Sequence, residues 1–206
     1  MDYIEKYFPN ISDLQKERLR QLSSLLKEWN EKINVISRKD IDNVDEHHIL
    51  HSLAIAKFIN FSPGSRILDL GSGGGLPGIP LAILFPDSHF HLIDRIGKKM
   101  TLANDIVSRL GLTNVSVQHG DVGECHDKFD FVVSRGVMPQ PDILKLVKKN
   151  ISGVNHNAIP NGAISLKGGD LTAEIAPLKN RSEIVDISSF FDEPYFKTKK
   201  IVYTQS

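Results

Sequence analysis

A glycine-rich segment directly after a short apolar run constrains this chain more than any other feature. Residues 66–70 (RILDL) are typical of a buried strand, and residues 71–75 (GSGGG) follow at once. Glycines let a backbone turn sharply and approach a bound group closely, because no Cβ stands in the way. Four glycines in five residues are more than an ordinary turn between a strand and a helix requires. The segment therefore predicts an open α/β sheet with a nucleotide-like ligand at the end of this strand.

Strand-like and helix-like patterns alternate along the rest of the chain. Helices are predicted after the glycine segment at residues 77–85, 97–110, 143–151 and 171–178. Further strands are predicted at residues 89–94, 115–118, 129–134, 163–167, 183–187 and 198–203. This alternation indicates a mostly parallel, doubly wound, seven-stranded sheet of the Rossmann-like α/β class.

Residues 1–60 are typical of a helical extension in front of this core. Apolar residues recur at helical spacing from Leu14 to Ile33, and Ser12 is a suitable N-cap. A second helix is predicted at residues 44–58. We expect residues 1–206 to form a single domain, in which residues 61–206 are the ligand-binding core.

Composition excludes several classes of protein. The 25 basic and 25 acidic residues cancel, so no global charge marks a nucleic-acid binder, although a local basic face remains compatible with RNA. The single Cys125 excludes an internal disulfide and a CxxC metal site. His47 and His51 have helical i, i+4 spacing, but no third ligand accompanies them, so no metal is expected. No apolar run of membrane-spanning length occurs, and we expect a cytoplasmic monomer.

Acidic residues around the glycine segment favour S-adenosylmethionine over NAD as the ligand. Asp69 precedes the glycines and completes a D-x-G-x-G-x-G pattern, which is typical of adenosylmethionine binders. The overlapping GxGxxG match, Gly73 to Gly78, starts late relative to the strand end. Asp94 ends the second strand, where a carboxylate can accept hydrogen bonds from ribose hydroxyls, and Asp121 follows the third strand, where adenine would lie. An NAD-dependent oxidoreductase remains an alternative.

The sequence also narrows the methyl acceptor. Residues 134–139 (SRGVMP) lack the Asn/Asp-Pro-Pro-aromatic run of enzymes that methylate exocyclic base nitrogens. Cys125 lies before the fourth strand and is not placed as the nucleophile that pyrimidine C5 methylation needs. An acceptor with its own lone pair, such as a purine N7, needs neither device. Arg135, at the mouth of the fourth strand, could face a cofactor carboxylate, a substrate phosphate or a base edge.

Together these motifs resemble one family, the bacterial small-subunit ribosomal RNA guanine-N7 methyltransferases, also called glucose-inhibited division protein B. The resemblance runs from about residue 25 to residue 169, and its most specific run is GLPGIP at residues 75–80. The other matching segments are LKEWN (26–30), NVIS (34–37), HILHS (48–52), DLGSGG (69–74), LIDRIGK (92–98), SR (134–135) and LKGG (166–169). The chain departs from the family at His51, where Asp is usual, at Gly123, where Glu is common, and at Gly136, where Ala is usual.

The resemblance implies a class I methyltransferase fold with S-adenosyl-L-methionine as cofactor. It implies methyl transfer to a guanine N7 in small-subunit (16S) ribosomal RNA, with the RNA or the 30S particle as partner. Arg135 is then a candidate for positioning the substrate or the cofactor. Motif and resemblance together give the cofactor-binding candidates Asp69, Gly71, Gly73, Leu76, Asp94, Asp121, Val122, Gly123 and Arg135. A different acceptor or a non-catalytic role in ribosome assembly remains open.

Overall fold

The fold of the chain is built on one twisted sheet that runs through the centre of the molecule. The structure is a computed structural model that describes residues 2–206. The sheet has seven strands: β1 (Arg66–Leu70), β2 (His89–Asp94), β3 (Val115–His119), β4 (Phe131–Arg135), β5 (Gly162–Gly168), β6 (Ser182–Asp186) and β7 (Lys199–Gln205). Their spatial order is β3-β2-β1-β4-β5-β7-β6. The first five strands are parallel, and β7 is antiparallel to both β5 and β6. The predicted mostly parallel, seven-stranded sheet is confirmed.

Helices cover both faces of the sheet. The α-helices are α1 (Asp2–Tyr7), α2 (Asp13–Asn30), α3 (His51–Phe58), α4 (Gly78–Leu84), α5 (Gly97–Arg109), α6 (Gln140–Val147) and α7 (Thr172–Ile175). Successive strand residues alternate between the two faces, so Ile67 packs with the larger apolar core and Leu68 with the smaller one. Residues of α2 to α5 fill the larger core, whereas α6 packs on the smaller one. Both faces of the central strands are therefore buried, which explains why these strands are almost continuously apolar.

The N-terminal helices share the larger core with the sheet. Ser12 caps α2 as predicted, because its hydroxyl accepts the N–H of Gln15 while the Gln15 side chain accepts the N–H of Ser12. Leu19, Leu22 and Leu26 of α2 are fully buried in the same cluster as the strand residues. The second predicted helix forms as a π-helical stretch (Val44–Leu50) that continues into α3. The extension thus packs on α4 and α5 through α2, and it reaches the sheet through α3.

Several element boundaries differ from those that the sequence predicts. The fourth strand starts at Phe131 and not at Phe129, because Phe129 forms an isolated bridge with Ile151. Helix α6 starts at Gln140, three residues before the predicted start, because the proline at position 141 occupies the first turn, where its missing N–H is not needed. The short helix α1 was not predicted. It is held by apolar contacts of Ile4 with the core, which its sequence alone does not reveal.

Candidate cofactor site

A cavity of about 480 Å³ opens at the carboxyl ends of β1, β2 and β4. The last residues of these strands, Leu70, Asp94 and Arg135, line it. The chain moves from β1 outward to β2 and β3 and then returns to the other side of β1 with β4, so the strand order reverses here. Ligands of open α/β sheets bind at this reversal. The volume lies within the range of small-molecule sites, about 300–1,000 Å³.

The glycine loop forms the floor of this cavity and has little room for other side chains. Gly71 has a φ of 64°, and a Cβ there would lie 3.0 Å from a methyl carbon of Val137. Gly78, at the start of α4, donates its N–H to Oδ2 of Asp69 at 2.7 Å. A Cβ on Gly78 would lie 2.6 Å from that same oxygen. The loop therefore needs glycine for its backbone angle at one end and for close packing at the other.

Asp94 ties the glycine loop to β2 from the wall of the cavity. Its Oδ2 accepts the N–H of Gly73 at 2.9 Å, and its Oδ1 accepts the N–H of Ile96 at 2.8 Å. Each oxygen of an ionised carboxylate can accept a second hydrogen bond. Asp94 can therefore hold the loop and still accept hydrogen bonds from hydroxyl groups of a ligand.

Asp69 lies underneath the loop and does not reach the lining of the cavity. Its side chain is completely buried, and burial raises the pKa of its carboxyl group to about 7. Its Oδ1 has no hydrogen-bond partner among the described residues. The structure thus brings Asp69 to the start of α4, where it orients the loop through Gly78.

The segment after β3 contributes its backbone at Gly120 to the lining. Asp121, Val122 and Gly123, which were predicted to contact the cofactor, follow Gly120 and are not part of the lining. Asp121 accepts the N–H of Gly123 at 2.6 Å and pairs with Arg95, and both interactions lower the pKa of its carboxyl group. The side chain of Val122 is buried in the smaller core. In residues 2–206 the structure brings Gly71, Gly73, Leu76, Asp94 and Arg135 together in the cavity wall, whereas Asp69, Asp121, Val122 and Gly123 stay outside it.

Arg135 places a positive charge in the wall of the cavity. It ends β4, and its Nη1–H donates to Nδ1 of His48 at 2.9 Å. Burial lowers the pKa of its guanidinium group from the usual value. An arginine stays protonated under these conditions, so the group can bind an anion or a hydrogen-bond acceptor.

The helical extension supplies a wall of the cavity that the sequence did not predict. Leu26, Val35 and Ile36 line this side. The amide oxygen of Asn30 accepts the N–H of Val35 at 3.0 Å and that of Ile36 at 2.9 Å. Asn30 is buried at the end of α2, where its amide oxygen holds this segment. The sequence signal for this contact is the segment LKEWN (26–30), which ends in Asn30 and matches the family.

The comparisons with known proteins agree with this geometry. Residues 15–189 match the family model described as rRNA small subunit methyltransferase G. The chain is 56% identical over 203 residues to a protein of Phocaeicola vulgatus named "Ribosomal RNA small subunit methyltransferase G", covering 98% of this chain and 97% of that one. It is 53% identical to the protein of the same name from Bacteroides thetaiotaomicron, covering both chains completely. The chain belongs to the small-subunit rRNA methyltransferase G family.

Solved structures show the same fold at low sequence identity. One is the "SAM dependent methyltransferase from Aquifex aeolicus", with a TM-score of 0.57, 16% identity and coverage of 82% of this chain and 98% of that one. The family resemblance and the class I methyltransferase fold, both predicted from the sequence, are confirmed. Membership also confirms the predicted enzyme class, an rRNA methyltransferase.

Among residues 2–206, no group of three or more His, Cys, Asp or Glu side chains is arranged to hold a metal ion. Within the same part of the chain, no helix has the length and apolarity needed to cross a bilayer.

Proposed function

We propose that this chain transfers the methyl group of S-adenosylmethionine to N7 of a guanine in small-subunit (16S) ribosomal RNA. The observation that carries the proposal is the cavity at the strand reversal, bounded by the glycine loop and Asp94, in a member of an rRNA methyltransferase family. Membership of that family supports the RNA acceptor. N7 of guanine carries a free lone pair, so its methylation requires no proton transfer.

The residues of the cavity fit S-adenosylmethionine part by part. Asp94 would accept hydrogen bonds from the ribose hydroxyls, because its oxygens keep free lone pairs. Ile96 lies next to it, 49% exposed, and offers an apolar surface to adenine. Arg135 supplies a positive charge for the carboxylate of the amino-acid part. Gly71 and Leu76 would contact the part of S-adenosylmethionine that lies between its adenine and its carboxylate. Gly73 would keep Asp94 in place through its hydrogen bond.

Methyl transfer requires the chain to hold the methyl donor and the guanine base in line. S-adenosylmethionine, when bound, supplies an electrophilic methyl group on a sulfonium. The lone pair of guanine N7 forms the new carbon–nitrogen bond as the carbon–sulfur bond breaks, and no proton leaves the base. The residues of the cavity therefore need to orient the methyl group and exclude water, and a general base is not required. This agrees with the location of Asp69, which lies beneath the loop.

Basic residues near the cavity are suited to RNA phosphates. Lys99 lines the cavity, and Arg38 and Lys39 are exposed on the segment that follows Val35 and Ile36. Cations in such positions hold the phosphate backbone and make binding dependent on salt. We propose that the chain acts as a cytoplasmic monomer on the RNA, either free or in the 30S particle.

Titration calorimetry followed by a transfer assay tests this function. We expect S-adenosylhomocysteine to bind with 1:1 stoichiometry and NAD not to compete with it. Tritium from methyl-labelled S-adenosylmethionine should then enter the RNA of small subunits from a strain that lacks the enzyme. Binding of NAD without S-adenosylhomocysteine would contradict the cofactor, and label in protein alone would contradict the acceptor.

A further inference from the structure

A chain of hydrogen bonds links Arg135 to the helical extension. Asp40 accepts two of them, from Nδ1 of His47 at 2.5 Å and from Nε2 of His48 at 2.7 Å. The other ring nitrogen of His48, Nδ1, lies 2.9 Å from Nη1 of Arg135. Both histidines lie in the π-helical stretch Val44–Leu50, and their rings meet the same carboxylate. Such stretches are rare and are frequent at functional sites.

The donors and acceptors along this chain leave one consistent arrangement. The guanidinium of Arg135 has only donors, so Nδ1 of His48 must be the acceptor and carries no proton. The proton of the neutral ring is then on Nε2, which donates to Asp40. Asp40 thereby fixes the tautomer of His48 that can hold Arg135. Protonation of Nδ1 would remove the acceptor and place two cations side by side.

Burial and charge keep this arrangement in place at neutral pH. The His48 side chain is 13% exposed, and burial, together with the charge of Arg135, lowers the pKa of its ring to about 4. Burial alone would raise the pKa of Asp40, but the hydrogen bonds from the two histidines lower it below its usual value. Around them, His47 faces His48 and Asp40 from the π-helical stretch, and Tyr195 from the C-terminal part faces Arg135. The ionised Asp40, the neutral ring of His48 and the charged Arg135 therefore form a continuous chain of hydrogen bonds.

The same chain of contacts joins two walls of the cavity. Val35 and Ile36 line one wall, and Asp40 lies four residues after Ile36 in the same segment. Arg135 lies in the other wall, at the end of β4. His47 shares the carboxylate of Asp40, and its ring stacks on Tyr195 with centroids 3.7 Å apart. Within residues 2–206, the histidine that hydrogen-bonds Arg135 is His48 and not His47. His47 is thus a natural control for His48.

We propose that His48, held in one tautomer by Asp40, is a positioning residue that fixes the guanidinium of Arg135 for binding S-adenosylmethionine. This role rests on the proposed methyl transfer, because Arg135 is assigned there to the cofactor. His48 acts through Arg135. Its effect on the reaction depends on the hydrogen bond that its Nδ1 accepts from the guanidinium.

A pair of substitutions separates the two hydrogen bonds of His48. Asparagine places an amide oxygen near the position of Nδ1, so His48→Asn keeps an acceptor for Arg135. Glutamine reaches the position of Nε2, so His48→Gln keeps the donor to Asp40 and removes that acceptor. We expect His48→Gln to lower kcat/KM for S-adenosylmethionine at least tenfold, mainly through KM, and to raise the Kd of S-adenosylhomocysteine by a similar factor. His48→Asn and the control His47→Phe should stay within about threefold of the wild-type chain. Equal losses in both His48 variants, or no loss in either, would overturn the role.

Nuclear magnetic resonance of the histidine ring nitrogens tests the geometry without any turnover. In the wild-type chain we expect the His48 ring to stay neutral from pH 5 to pH 8, with its proton on Nε2. A ring that titrates near pH 6.5, or one protonated on Nδ1, would overturn the inference. This measurement needs neither cofactor nor RNA. Its result therefore tests the tautomer of His48 even if the methyl acceptor proves to be different. A failure of the transfer assay together with the expected spectrum would contradict the proposed function alone.

Discussion

Two carboxylates at the ends of neighbouring strands have different tasks around the cavity. Asp69 is buried beneath the glycine loop and accepts the N–H of Gly78, so it shapes the loop from below. Asp94 stands in the cavity wall, where it accepts backbone N–H groups and still has free lone pairs. Spacing alone gave both residues the same interpretation, as contacts of the cofactor. Burial separates them, because only Asp94 can touch a ligand without a change of the loop.

Replacing Asp94 should weaken the cofactor site strongly. In Asp94→Ala, Gly73 and Ile96 lose their acceptor and the ribose loses its partner. We expect the binding of S-adenosylhomocysteine to weaken by about 1–3 kcal/mol, measured by calorimetry. The control Asp87→Ala changes an exposed acid just before β2, at the opposite end of the strand. Unchanged affinity in Asp94→Ala would contradict the role in binding.

The buried His51 should make the chain less stable in acid. Burial lowers the pKa of this ring to about 3, whereas an unfolded chain holds its histidine near 6.5. Between these values the unfolded state binds a proton that the folded state does not, so the free energy of unfolding falls as the pH falls. The wild-type chain should therefore lose up to about 1.4 kcal/mol per pH unit more than His51→Gln between pH 6 and pH 4.5. Urea unfolding at three pH values measures the difference, and parallel curves for the two chains would refute it.

At the scale of elements, the junction between the glycine loop and α4 depends on close packing. A Cβ on Gly78 would lie 2.6 Å from Oδ2 of Asp69 and 2.9 Å from a methyl carbon of Leu92. Both neighbours are completely buried, so neither can move aside freely. The loop and the helix are therefore locked together at a point where the embedded GxGxxG match supplies its last glycine.

Alanine at position 78 should consequently destabilise the chain. We expect Gly78→Ala to lower the free energy of unfolding by about 1–3 kcal/mol, the usual effect of an added group in a packed interior. A Cβ on Gly153 meets no atom within 4 Å, and the φ of this residue is not in the left-handed region, so Gly153→Ala is the matched control. Its effect should stay within about 0.5 kcal/mol. Equal stability of the two variants in urea would show that the contact at Gly78 relaxes without strain.

The sequence predicts the elements that depend on local patterns and fails where distant residues meet. The bounds of β2 are predicted to the residue, because apolar strand residues and an acid at the end are local signals. The contact between Arg135 and His48 joins residues 87 positions apart, and no spacing rule reveals it. The contribution of Val35 and Ile36 to the wall is equally hard to predict from the sequence, since two apolar residues in a row are also typical of ordinary packing. Site residues on the core strands were therefore predicted, whereas those of the extension were not.

At the scale of the whole molecule, the extension and the sheet share one apolar core. The larger core contains residues from α1 to β7, and the N–H of the Trp29 indole donates to Oδ2 of Asp105 in α5 at 2.7 Å. Leu26 and the segment behind it also form a wall of the cavity. These contacts favour the single domain expected from the sequence, in which neither part is complete without the other.

The single tryptophan allows a direct test of this cooperativity. Trp29 reports on the contact between α2 and α5, whereas far-ultraviolet circular dichroism reports on all elements. We expect the two signals to change together in one urea transition, as they do in a two-state domain. A loss of Trp29 fluorescence at clearly lower urea would show that the extension unfolds separately.

Analysis of the methylated nucleoside tests the proposed methyl transfer and the role of His48 in one experiment. Small subunits from a strain without the enzyme are incubated with the chain and S-adenosylmethionine, and their RNA is digested to nucleosides for mass spectrometry. We expect 7-methylguanosine to rise with time, and, at S-adenosylmethionine concentrations below KM, to rise at least tenfold more slowly with His48→Gln than with the wild-type chain. Methyl groups in any other nucleoside, or none in chains that bind S-adenosylhomocysteine, would contradict the proposed methyl transfer.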